Sequence, residues 1–124
     1  MSEIQNLSVP KLEGFTIEFA GESGITLAGV LSNPDPRETV GPFFEALHKA
    51  AVSDHVETVD VNLRELTFVN SSAIRLFVDW VGRLSADNPE YVLHFLTNRR
   101  VTWQRTSFDV LRSLAPKAVR ITST

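Results

Sequence analysis

The amino-acid sequence predicts an α/β domain built on one mixed β-sheet, with helices packed on one face of the sheet. Apolar residues alternate with polar ones, or form short bounded runs, in five segments, and recur at helical spacing in three others. The predicted order is β-β-α-β-α-β-α-β. The opening pair, joined by a tight turn, indicates an antiparallel hairpin, and the later strand–helix–strand units indicate parallel pairing with right-handed crossovers.

The strands are predicted from side-chain alternation and from the turn residues around them. In the third strand Val59, Val61 and Leu63 share one side, while Asp60 and Asn62 share the other. That division indicates that helices cover only one face of the sheet. The predicted strands are residues 15–19, 25–31, 58–63, 91–96 and 118–122.

The helices are predicted at 42–51, with a start that could extend back to Arg37, at 71–85 and at 103–114. The apolar residues of the second helix span an arc of roughly 200°, whereas a stripe that faces a core is nearer about 100° wide. Either this helix is unusually enclosed or one edge of the arc faces a partner. We therefore predict that Leu76 or Trp80 belongs partly to an interface.

Composition indicates one ordered domain over residues 1–124. The hydrophobic fraction of 43% and the charged fraction of 22% argue against disorder. Residues 1–14 are polar and contain Pro10, so we expect a loosely ordered tail there. The net charge of −3 offers no general attraction to nucleic acid or to anionic membranes.

Several kinds of chemistry have no support in the sequence. There is no cysteine, so disulfides, thiolate catalysis and cysteine zinc sites are excluded. His48, His55 and His94 lack metal-ligand spacing, and no glycine-rich phosphate loop is present. We expect no metal, no cofactor and no enzymatic activity. No apolar run is long enough to span a membrane, and residues 1–6 lack a signal-peptide pattern, so we expect a cytoplasmic protein.

The polar triplet Asn70-Ser71-Ser72 marks the predicted start of the second helix. Asparagine and serine are preferred N-caps because their side-chain oxygens accept hydrogen bonds from the free N–H groups of the first turn. The same N–H groups and the helix dipole favour an anion. A serine here could therefore carry a phosphoryl group at little cost to the fold.

Two stretches resemble a known family. Leu66-Thr67-Phe68-Val69 followed by Asn70-Ser71-Ser72-Ala73 resembles the signature of STAS domains, the anti-sigma-factor antagonists and their relatives, which usually read Asp-Ser-Ser/Thr-Gly. Trp103-Gln104 in the third helix is similar to a bacterial subfamily of small regulators with an Asn-Ser-Ser-Gly motif. The resemblance covers the whole chain in layout and implies the same mixed sheet, with helices on one face.

The family implies a phosphorylated regulator in signal transduction rather than an enzyme. In STAS switches the phosphorylated residue is the second hydroxyl of the signature, which matches Ser72, with Ser71 as second choice. The implied partner is a serine kinase or phosphatase of a partner-switching system, or an anti-sigma-like protein. We expect Ala73, Leu76 and Trp80 to form the partner surface beside the switch.

Two departures from the signature keep an alternative open. Asn70 replaces the family aspartate, which removes a carboxylate that could serve kinase recognition, and Ala73 adds a Cβ where the family has glycine. The alternative is a STAS-like scaffold or oligomerisation domain that has lost the phospho-switch. Whether the protein forms a homo-oligomer is left open.

Overall fold

The five-stranded sheet is the frame on which the rest of the chain packs. The computed structural model describes residues 3–32, 35–87 and 91–124. The strands lie in the order β1-β2-β3-β4-β5, with β1 and β2 antiparallel and the other neighbours parallel. The predicted mixed α/β fold is confirmed. The strands are β1 (Phe15–Ala20), β2 (Gly24–Leu31), β3 (Thr58–Val69), β4 (Val92–Thr97) and β5 (Val119–Ser123).

The helices match the three predicted ones and add a short helix that periodicity did not show. They are α1 (Pro36–Thr39), α2 (Gly41–Ser53), α3 (Ser71–Asp87) and α4 (Thr102–Leu114). The four-residue α1 contains Arg37, the residue to which the first predicted helix could extend. Asn33 and Pro34, which precede it, lie outside the described residues.

Strand β3 continues past the predicted end at Leu63 to Val69. Its pairing with β2 shifts register at two points, as β-bulges do when one strand carries extra residues. The buried positions of β3 after Leu63 are Leu66 and Val69. Their spacing of three hides the strand from a search for alternation.

Helix α3 lies at the centre of the helical layer and contacts α1, α2 and α4. Its Phe77 is fully buried, with ring centroids 5.3 Å from Phe44 and 5.2 Å from Phe108. A helix enclosed on several sides needs apolar residues around more of its circumference than one lying on a surface. The wide apolar arc therefore reflects enclosure within the chain.

This enclosure corrects the predicted partner surface. Ala73, Leu76 and Trp80 are 0%, 4% and 3% exposed, so their side chains are part of the core. The sequence suggested an interface because α1, which contacts α3, is too short to be recognised from periodicity.

The described start of the chain is attached to the domain. The Glu3 and Ile4 N–H groups donate to the Asp54 carboxylate at 3.0 and 3.2 Å, and Ile4 is fully buried. The expectation of a loosely ordered tail is therefore wrong for the short 3-10 helix Ile4–Asn6, which the Glu3 and Ile4 hydrogen bonds hold against the domain. Met1 and Ser2 lie outside the described residues. Among the described helices, none combines the length and apolar character that a membrane crossing requires.

Candidate functional site at the carboxyl edge of the sheet

Asn70 links the end of β3 to the start of α3 and is held on both sides. Its N–H donates to the Leu31 carbonyl at the end of β2, at 3.0 Å. Its side-chain Oδ1 accepts a hydrogen bond from the Ala73 N–H at 2.8 Å, and its carbonyl accepts from the Ile74 N–H at 3.1 Å. Asn70 is thus the N-cap of α3, and the junction is anchored to the sheet.

Ser71 and Ser72 are the first two residues of α3, and both are exposed. Because the Asn70 side chain already makes a capping bond, neither serine is needed for that bond. The first turn of a helix presents N–H groups without intrahelical partners, and the dipole favours negative charge there. The position is therefore chemically suited to a phosphoryl group on either hydroxyl.

The two departures from the STAS signature have a structural explanation. The Ala73 side chain is fully buried, so its Cβ points into the core and away from the exposed serines. Asn70 provides the capping oxygen that an aspartate would provide, without the negative charge. Neither residue blocks access to the serine hydroxyls.

On the side opposite β2, the second half of β3 has no paired strand among the described residues, because β4 pairs with β3 only as far as Asn62. Gln104 of α4 forms hydrogen bonds with part of that unpaired strand edge. Its Nε2 donates to the carbonyls of Leu63 and Leu66 at 2.7 and 2.8 Å, and its Oε1 accepts from the Asn98 N–H at 2.9 Å. Gln104 is fully buried.

Two further side chains complete this attachment. Trp103 Nε1 donates to the Thr67 carbonyl at 2.9 Å, and Asn98 Nδ2 donates to the Arg64 carbonyl at 3.1 Å. We call Asn98, Trp103 and Gln104 the edge brace. The brace holds the stretch of β3 that leads into Asn70. In the sequence Trp103 and Gln104 stood out only through the family resemblance, and their role in the fold was missed.

An exposed apolar pair lies at the same edge of the sheet. Phe68 is 50% exposed and Val30 is 40% exposed, and the two are paired neighbours on β3 and β2. Their strand neighbours Val69 and Leu31 are buried and also form a pair. Phe68 and Val30 therefore point away from the helical layer, close to the end of β3.

A second polar cluster lies near the amino end of β4, away from the serines. Trp80 Nε1 can only donate, so the Tyr91 hydroxyl oxygen accepts its hydrogen bond at 3.0 Å. The Tyr91 O–H then donates to His48 Nδ1 at 2.6 Å, and His48 Nε2–H donates to the Asp87 carboxylate at 2.9 Å. Burial raises the pKa of Tyr91 to about 12.

The remaining histidine contacts are on the open face of the sheet. His94 Nδ1 lies 2.9 Å from Asp60 Oδ1, and His94 Nε2 lies 2.8 Å from Thr122 Oγ1. These side chains link three neighbouring strands. Among the described residues, no group of three His, Cys, Asp or Glu side chains is arranged to hold a metal ion.

Comparison with known proteins places this geometry in a known fold. No family model and no curated protein sequence matches the chain. A solved structure does match: the Bacillus cell fate determinant SpoIIAA in its phosphorylated form, with a TM-score of 0.51 and 19% sequence identity, over 87% of this chain and 90% of that chain. The fold is STAS-like. This agrees with the architecture that the sequence resemblance implied.

Proposed function

We propose that this chain is a non-enzymatic regulatory module that binds a partner protein at the carboxyl edge of its sheet, under control of serine phosphorylation. Ser72 is the first choice of acceptor and Ser71 the second. The observation that carries the proposal is the exposure of both serines in the first turn of α3, where Asn70 makes the capping bond. SpoIIAA, whose structure is similar, has been solved in a phosphorylated form.

Charge and position explain how phosphorylation would act. Phosphoserine carries about −1.5 to −2 charges at neutral pH. The N-terminus of α3 accommodates that charge, so the fold is preserved. The exposed pair Val30 and Phe68 lies at the same edge, and a partner docked there would have to accept the new charge. Binding is therefore the property that changes.

The partner that fits this function is a serine kinase or phosphatase, or an anti-sigma-like protein, of a partner-switching system. The competing proposal is a scaffold or oligomerisation domain without the switch. The observation in its favour is residue 70: an asparagine occupies the position of the family aspartate, so no carboxylate is available there for kinase recognition.

The test begins with affinity capture and mass spectrometry from the native cell, which identifies the partner and maps phosphate on the captured chain. Ser72→Asp is then compared with wild type for binding to the purified partner. We expect a loss of at least about tenfold in affinity, since 1.4 kcal/mol corresponds to a factor of ten, with an unchanged unfolding midpoint. Ser72→Ala should bind normally and resist regulation.

Ser85→Asp is the matched control. Ser85 is also exposed and lies on the same helix, near its other end. The same substitution there should leave partner binding unchanged. Equal affinity of wild type and Ser72→Asp would reject the switch. Absence of phosphate on both Ser71 and Ser72 in cells would favour the scaffold.

A further inference from the structure

We infer that the partner's docking segment is acidic, with an apolar anchor residue, and that it binds a basic edge surface formed by Val30, Phe68, Arg64, Arg99 and Arg100. The inference rests on the proposed function, since it names the chemistry of the partner at the same edge of the sheet. It adds the surface that recognises the partner and the physical reason why a phosphate would weaken binding.

The edge brace ties together the chain segments that carry this surface, although these segments are far apart in sequence. Asn98 connects Arg64 on β3 with the loop after β4 that carries Arg99 and Arg100. Its side-chain amide donates to the Arg64 carbonyl at 3.1 Å, and its side-chain oxygen accepts from the Arg100 N–H at 2.9 Å. The Arg99 N–H donates to the Thr124 carbonyl at 3.1 Å. The backbone at all three arginines is therefore fixed.

The charge of this surface is opposite to that of the chain. Arg64, Arg99 and Arg100 are exposed, and none forms an ion pair with another described residue. Glu65 is an exposed acid next to Arg64 in sequence. Three exposed arginines against one exposed acid leave this surface positive although the chain carries a net charge of −3, and a positive surface favours an acidic segment.

The apolar part of the surface supplies a place for an anchor. Phe68 is half exposed beside Val30, and Thr67, which precedes Phe68, is held by Trp103 through its carbonyl. Aromatic and arginine side chains are enriched among the residues that dominate binding energy at protein interfaces. An exposed apolar patch with a charged rim is typical of such an interface.

Phosphorylation of Ser72 would act on this surface through charge. Ser72 follows the end of β3 by three positions, at the same edge as Phe68. A phosphate there would add a charge of about −1.5 to −2 at the edge where the partner docks. It would repel an acidic segment bound beside Phe68, so binding should weaken, most strongly at low salt, without a change of fold.

The experiment uses the full chain and a fluorescein-labelled peptide of alternating glutamate and phenylalanine, measured by fluorescence anisotropy and by amide chemical shifts. Matched peptides replace each glutamate by glutamine or by lysine. We expect the glutamate peptide to bind with shifts at residues 64–68 and 98–101, and to bind less tightly as salt rises. Arg99→Glu/Arg100→Glu should lower its affinity at least about tenfold.

Lys49→Glu/Lys117→Glu is the control, since it makes the same change in net charge at exposed positions outside the surface. It should retain at least half of the wild-type affinity. Phe68→Ser removes the apolar side chain on which the partner's anchor residue would pack, and it should also weaken peptide binding. Because the side chains of Arg99 and Arg100 are exposed and their hydrogen bonds come from the backbone, their substitution should leave the unfolding midpoint unchanged.

Three results would overturn the inference: no shifts at this edge, equal affinity of Arg99→Glu/Arg100→Glu and wild type, or preference for the lysine peptide. Tighter binding of a single-stranded oligonucleotide at the same residues would also overturn it, in favour of nucleic acid. If the glutamate peptide binds this surface but Ser72→Asp does not change its affinity, the proposal of an acidic docking segment is supported and the proposal of a phospho-switch is rejected. If Ser72 controls binding of a native partner that does not use these arginines, only the proposal of the basic edge surface is rejected.

Discussion

The two ends of the parallel strands use polar side chains in opposite ways. At the amino end of β4, Tyr91 and His48 are buried and hydrogen-bonded to each other, and Tyr91 also accepts from Trp80. At the carboxyl end of β3, Ser71 and Ser72 are exposed. A saturated buried network stabilises a fold and offers nothing to a partner, whereas exposed hydroxyls at a helix N-terminus are available for modification.

The exposure of the serines at an ordered carboxyl end of β3 depends on the edge brace. Without it, the second half of β3 would expose unpaired carbonyls on the side that β4 does not reach. The brace keeps this stretch ordered while leaving Phe68 and the serines at the surface. The carboxyl end thus combines a fixed backbone with accessible side chains, which is the combination that a recognition site needs.

The largest expected effect is the loss of Gln104. Gln104→Ala removes two buried hydrogen bonds and one partly buried one and leaves a cavity, so we expect a cost of about 3–5 kcal/mol in the free energy of unfolding. Chemical denaturation measures that cost. Hydrogen exchange should show the greatest loss of protection in residues 64–70, because on the side opposite β2 the described residues offer this stretch no strand to replace the brace.

Two controls separate hydrogen bonding from volume. Gln104→Glu keeps the size but replaces the NH2 group, which donates to the carbonyls of both Leu63 and Leu66, by a carboxyl group that donates at most one bond and none when ionised, so it should be at least as damaging. Gln5→Ala, which removes one exposed bond to the Gly21 carbonyl, should cost within about 0.5 kcal/mol. Uniform loss of protection throughout the sheet in Gln104→Ala would show that the brace does not act locally.

The buried network should be sensitive to alkaline pH. The pKa of Tyr91 is raised from 10.0 to about 12 in the folded protein, so its neutral form is favoured by folding. The associated stability is fully present below pH 10 and is lost as pH rises through about 12. The loss should reach about 2–3 kcal/mol by linkage, measured as the free energy of unfolding against pH.

Tyr91→Phe provides the comparison for this titration. It should lower stability at neutral pH by about 2 kcal/mol, because Trp80 Nε1 and His48 Nδ1 lose their partner. Because Tyr91→Phe has no phenol to ionise, its free energy of unfolding should fall less steeply above pH 10 than that of wild type. Parallel curves for wild type and Tyr91→Phe in that range would show that Tyr91 is not the titrating group.

The sequence was informative where structure follows from local periodicity or local caps. Alternation and helical spacing predicted the strand and helix order, and the asparagine–serine triplet marked the start of α3. The brace could not be found in this way, since Gln104 bonds to carbonyls 41 and 38 positions earlier in the chain. Burial of Leu76 and Trp80 was missed because it depends on which helices surround α3.

The exposed pair of the basic edge surface was hidden for a related reason. The register shifts between β2 and β3 break the alternation that would show which side chains face outward. Phe68 therefore looked like part of a loop, and its exposure beside Val30 became evident only from the paired strands. Which side chains face outward at such positions is determined by strand pairing in the folded protein and cannot be predicted from the local sequence pattern.

The smallest expected changes in stability distinguish the role of Asn70 as N-cap from the proposed role of Ser72 as phosphate acceptor. Asn70→Ala removes the side-chain bond to the Ala73 N–H and should cost about 1 kcal/mol. Asn70→Asp keeps an accepting oxygen and adds a negative charge at the N-terminus of α3, so stability should be equal or higher by up to about 1 kcal/mol at low salt. Ser72→Ala should change stability by no more than about 0.5 kcal/mol, because Asn70 makes the capping bond. Chemical denaturation of the three variants measures these differences. If Ser72→Ala costs as much as Asn70→Ala, the hydroxyl itself stabilises the helix, and Ser72 would then have a structural reason to be a serine that does not involve phosphate.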